Sequence, residues 1–174
     1  MVSYLFSIRP EKFEEISPLL KSIAMIRKTR EATDNFEEGT RLIRQEQKIM
    51  DEVEKILINA KEKRIKLHSI EGVLDEGDIV LCFERFFRKI DPSMTHTVRN
   101  TTKPAMIKEY WAKLSLHLEK KGDRMDAIKY CENEEDEDGR KSDTGMISRL
   151  YDNWSSFIKY TAKNGNWYYH MIIM

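Results

Sequence analysis

The groups in this 174-residue chain that would matter first for chemistry are its four histidines, two cysteines and thirty acidic residues. His68, His96, His117 and His170 stand far apart. They form no zinc-hydrolase helix pattern, and the chain has no glycine-rich phosphate loop or nucleophile elbow. His117 sits beside Leu114 and Leu118 and reads as a half-buried helix residue; His170 follows two tyrosines and reads as packed against them, while His96 belongs to a polar connection. Cys82 and Cys131 lie in apolar stretches without a second cysteine or a histidine at ligand spacing. They read as buried free thiols, which suits a reducing, cytoplasmic setting. Carboxylates are plentiful, but number alone does not set two of them across a substrate. The expectation is a protein with no catalytic residue, no metal site and no cofactor, and not an enzyme.

The most basic local run is Lys61 to His68, in which Lys61, Lys63, Arg64 and Lys66 would contact phosphates with salt-dependent affinity. The same residues would complement the dipole at the end of a helix spanning 41–68, and no aromatic side chains interleave them to stack on bases. The acidic stretch within 132–143 reads as a hydrated loop that would also suit a cation or a basic partner. Thirty basic residues balance the thirty acidic ones, so no overall field points to nucleic acid or a membrane surface. The N-terminal apolar patch is too short for a secretory core, and no run reaches membrane-spanning length.

Few glycines and prolines among many charges favour long helices with solvated outer faces. Val2 to Ile8 reads as a short strand or extended arm. Pro10 opens a helical turn, and Ser17-Pro18 restarts the helix, with Leu19, Leu20, Ile23 and Ile26 as its apolar stripe. Gly39-Thr40 reads as the break before the next helix. There Leu42, Ile49 and Ile56, and Val53, Ala60 and Leu67, keep a seven-residue interval interrupted at Glu46. An antiparallel hairpin within one chain follows, with self-association as the alternative. After a turn through Gly72, Asp78 caps the apolar helix that contains Ile79 to Ile90, with a strand at Ile79–Phe83 as the alternative. Pro104 starts the helix carrying Ile107, Tyr110, Trp111, Leu114 and Leu118; Gly122 ends it and Asp123 caps the next. Asp143 or Thr144 starts the last long helix, which Asn164-Gly165 ends, leaving an apolar, aromatic tail to be strand or helix.

Trp111, Leu114, Ser115 and Leu118, then Gly122-Asp123, then Ala127 and Cys131, resemble a tetratricopeptide (TPR) unit. Trp154, Phe157, Ile158 and Thr161, then Gly165, repeat the same internal register, with His170 in the place of the small alanine. The acidic run supplies the residues beyond the family's period of about 34. This resemblance implies inner helices that expose Glu109, Ala112, Leu116 and Lys120 from one unit and Asp152, Ser155, Lys159 and Lys163 from the next. Lys159 and Lys163, one turn apart, would suit an acidic ligand. Family members that bind chaperone tails use an inner-face asparagine, and none stands at position 116 or 159.

The expected fold is therefore all-α: an N-terminal hairpin of long helices over 1–70, then a helical repeat-like region over 71–174, with a strand or extended segment at either end. The expected function is a non-catalytic intracellular adaptor or assembly subunit. It would offer a helical groove, lined by Glu109, Leu116, Lys120, Asp152, Lys159 and Lys163, to a protein or peptide, with an acidic one favoured. The alternative is a nucleic-acid-associated helical subunit that uses the basic run.

Overall fold

A computed structural model describes residues 2–69, 74–94, 100–120, 122–133, 139 and 144–173. Strand β1 (Val2–Ile8) leads into two long antiparallel helices, α1 (Pro10–Glu31) and α2 (Phe36–Asn59), and then strand β2 (Lys63–Leu67). Helix α3 (Glu76–Ile90), the short β3 (Thr101–Thr102), α4 (Pro104–Leu118), α5 (Asp123–Glu132), α6 (Thr144–Lys163) and β4 (Trp167–Ile173) follow. The expected turn at Gly72, the cap at Asp143, His96 and most of the acidic run lie outside the described residues.

The four strands form one antiparallel sheet in the order β2-β1-β4-β3. Alternate side chains point to opposite faces of a strand. Tyr4, Phe6, Ile8, Tyr169 and Met171 accordingly pack against Ile16 and Ile23 of α1 and Met50, Val53 and Leu57 of α2. Leu5, Leu67 and Tyr168 face the other way, into a core with α3, α4, α5 and α6. The sheet is thus buried between a helical hairpin and a four-helix layer.

This architecture overturns the all-α, TPR-like expectation. After Gly165, whose φ of +66° ends α6, the chain enters a central strand instead of a second repeat helix. Trp, Tyr and Ile favour a pleated surface, and burial on both faces accounts for an unbroken apolar run there. The two tryptophans are not equivalent either: Trp154 is fully buried among Phe83, Phe87 and Tyr151, whereas Trp111 packs half-buried at the rim of that core.

The N-terminal hairpin forms with different boundaries. Pro18 lies inside α1, with no restart there, and the break between helices falls at 32–35. Asn35 makes that break, its side chain accepting from the Glu38 N–H at 3.0 Å; Gly39 and Thr40 lie within α2. Glu46, the interruption in the seam, is buried, with Arg27 and Arg30 donating to its two oxygens at 2.6 and 2.8 Å. The helix expected to reach residue 68 stops at Asn59. Lys61 takes a φ of +56°, and buried Glu62 pairs with Arg9 at 2.7 Å, so the chain turns into β2 beside β1. Asp75, and not Asp78, occupies the N-cap of α3.

Cys82 and Cys131 are buried, but as a disulfide joining α3 to α5 and not as free thiols. Their pairing speaks against the reducing compartment expected from the sequence. Among the described residues, no helix is long and apolar enough to cross a membrane.

Candidate interaction surface

Three helix ends meet where Asp91 caps the end of α3, His117 occupies the last turn of α4 and Asp123 opens α5. Gly122, at φ +102°, makes the tight turn that brings α5 back against α4. His117 Nε2 lies 2.9 Å from Asp91 Oδ2, and its Nδ1 lies 3.3 Å from Asp123 Oδ2. Asp91 also accepts from the hydroxyl and the backbone N–H of Ser93. The Ser93 hydroxyl and then His117 hold its carboxyl down at about 2.

Close along the chain to the residues of this clamp are three large apolar side chains open to solvent: Ile90 at 43% exposure, Leu116 at 61% and Met125 at 52%. Ile90 adjoins Asp91 and Leu116 adjoins His117, while Met125 lies in the same first turn as Asp123. Three lysines belong to the same helix ends. Lys89 Nζ sits 5.6 Å from the centre of the Tyr130 ring, Lys113 Nζ donates to the Ser93 carbonyl at 2.6 Å, and Lys120 is exposed just past α4.

Of the six residues expected to line a groove, Leu116 and Lys120 fall at this corner. Glu109 lies about two turns back along α4 and pairs with Lys113 at 3.3 Å. Asp152 is held by Arg124 of α5 at 3.1 Å, and Lys159 and Lys163 are exposed toward the end of α6 that leads into β4. No hydrogen bond or ion pair links the six to one another among the described residues. Ser155, expected beside them, is buried. The stacked repeat helices that would line the predicted groove do not form, because the chain after Gly165 is a strand.

The expected phosphate-contacting residues move from a helix end to the turn and edge strand. Lys63 Nζ lies 3.9 Å from the centre of the Tyr160 ring, and the Arg64 guanidinium 5.4 Å from that of Tyr4. Tyr4 belongs to the α1–α2 face and Tyr160 to α6, so strand alternation sends neighbouring cations to opposite faces. Lys61 and Lys66 remain exposed. Charged side chains on an outer strand also discourage pairing with another sheet.

Sequence reasoning missed Ile90, Met125 and the carboxylates that clamp His117. The half-buried setting expected for His117 was the local trace of that site; its partners come from separate helix ends. Compared with known protein families, curated proteins and solved structures, the chain matches none.

Proposed function

We propose that this chain is a non-catalytic protein-binding module whose partner seats on the corner formed by the ends of α3 and α4 and the start of α5. The observation that carries this reading is the exposure of Ile90, Leu116 and Met125 beside buried His117 and the two carboxylates that hold it. A binding anchor gains most when its side chains are held in place before contact. Here the clamp ties the three supporting helix ends together, so little backbone order remains to be lost on binding. The lysines of these helix ends suit a partner segment that places apolar side chains in the centre and acidic residues at the edge.

The test is site-specific photocrosslinking. A benzophenone amino acid replaces Met125, and the protein is irradiated in extract from its native source. The expected outcome is a discrete adduct with another protein, competed by unlabelled protein and lost in Leu116→Ser, while circular dichroism stays unchanged. No adduct, an adduct with a second copy of this chain, or one that survives Leu116→Ser would defeat the proposal.

A further inference from the structure

A second site lies on the opposite approach to α3, where the first turn of that helix presses on the sheet. It is a small, partly open pocket between β1, β4, the end of β2 and α3. His170 projects from β4 on the helix-layer face, where Leu5 is its partner across β1. It is 2% exposed, and its Nε2 has no hydrogen-bond partner among the described residues. That nitrogen faces Gly77. A Cβ added at Gly77 would stand 3.5 Å from it and 3.0 Å from Ser3 Oγ, so a larger residue would press on the polar wall. Burial holds the His170 imidazole down at about 4. At neutral pH the ring is therefore uncharged, and in the tautomer with its proton on Nδ1 the Nε2 atom carries a lone pair.

The formal charges lining the pocket are those of Asp75 and Asp78, and Leu81 adds an apolar wall. Asp75 accepts from the Ser69 hydroxyl at 2.7 Å, which fixes its carboxylate at the N-cap. A helix start normally favours anions, but here Asp75, Glu76 and Asp78 already oppose one. Among the described residues, no three His, Cys, Asp or Glu side chains gather as a metal ion would need.

We propose that this pocket binds a primary ammonium group, on a free small molecule or at the end of a lysine side chain. His170 Nε2 and the Ser3 hydroxyl accept its hydrogen bonds, Asp75 supplies the counter-charge, and the attached hydrocarbon lies along Leu81. The inference is independent of the partner-binding corner.

Nitrogen NMR of isotope-labelled histidine tests it at neutral pH and constant ionic strength, with n-butylammonium, n-butanol, n-butyrate and N-acetyl-lysine methylamide as probes. Butylammonium is expected to shift His170 Nε2 saturably, and butanol and butyrate are not. Asp75→Asn keeps the size of the side chain but removes the charge, and should weaken binding about tenfold, the scale of one charge-assisted hydrogen bond. Gly77→Ala should weaken it as well, by crowding Ser3 and His170. Tighter binding of the lysine derivative would point to a partner's side chain, and tighter binding of butylammonium to a free amine; either supports the site. No saturable shift from either ammonium compound, an equal response to butanol or butyrate, or unchanged affinity in Asp75→Asn would overturn it.

Discussion

Glu84 and His170 are both buried, and burial drives their titrations in opposite directions. Glu84 is 5% exposed, with Oε1 unpartnered among the described residues; desolvation raises its carboxyl well above the ordinary carboxylate range, and Arg88 pulls it partly back. The folded chain therefore keeps a proton on Glu84 that the unfolded chain has lost, so this residue's contribution falls as pH rises above about 4.5. For His170 the unfolded chain takes up a proton near 6.5 and the folded one only at about 4. Stability is consequently lost as pH falls through that interval, by an amount on the order of 3 kcal/mol when complete. Glu84→Gln is expected to stabilise the protein at neutral pH, with the gain shrinking toward pH 4, and His170→Phe to stabilise it only in mild acid. Urea midpoints across this pH range check both. A pH-independent effect of either substitution would show that its charge is not the cause. Asp91 behaves in the ordinary acidic sense: its contribution is complete above 3.8 and lost as pH falls from there to about 2.

At the level of elements, the Cys82–Cys131 disulfide closes a 49-residue separation and ties α3 to α5, the helices that present Ile90 and Met125. Chain-entropy reasoning for a loop of this length gives about 4 kcal/mol of stabilisation, while Cys→Ala truncation also removes packing. The double variant Cys82→Ala, Cys131→Ala is expected to lose several kcal/mol in a denaturant titration. A loss below about 1 kcal/mol would remove the staple from the account. Helices α3 to α6 were largely legible because their punctuation is local: Pro104 opens one, and Gly122 and Gly165 sit at turns with positive φ. The break at 32–35 contains no glycine or proline, and Gly39 is tolerated inside the helix that follows, so the break was read too late. Lys63 to Leu67 has the charged composition of a helix end; its strand conformation comes from pairing with β1, not from a local signal. Leu116 of α4 and Lys120 just past it were legible as surface residues. Their grouping with Ile90 and Met125 depends on three helix ends meeting, which linear spacing does not encode.

At the level of the whole molecule, the chain's two described ends lie side by side in the middle of the sheet. Every residue of β1 pairs with one of β4, from Val2 opposite Ile173 to Ile8 opposite Trp167. The strand expected as an optional arm and the tail left between helix and strand are thus the axis of the fold, and they join the region 1–70 to the region 71–174 through one sheet. Strand β4 serves both cores at once, giving Tyr168 to the four-helix side and Tyr169 and Met171 to the hairpin side. Removing Trp167–Ile173 should accordingly unfold both layers together, abolishing the near-ultraviolet signal of Trp154 as well as the stability of the distant α1–α2 hairpin. Such a loss alone would not separate topology from simple core deletion, but a permutant does. Ile173 and Val2 are antiparallel neighbours, so a two-residue Asn-Gly turn should join them into a tight hairpin, with new ends opened at exposed Gly139. The permutant retains every core residue and every strand pair, and is expected to keep the parent's circular dichroism with an unfolding midpoint no lower than about 1 kcal/mol below it. A truncated chain that retained the Trp154 signal, or a permutant that failed to fold, would contradict a sheet centred on the two terminal strands.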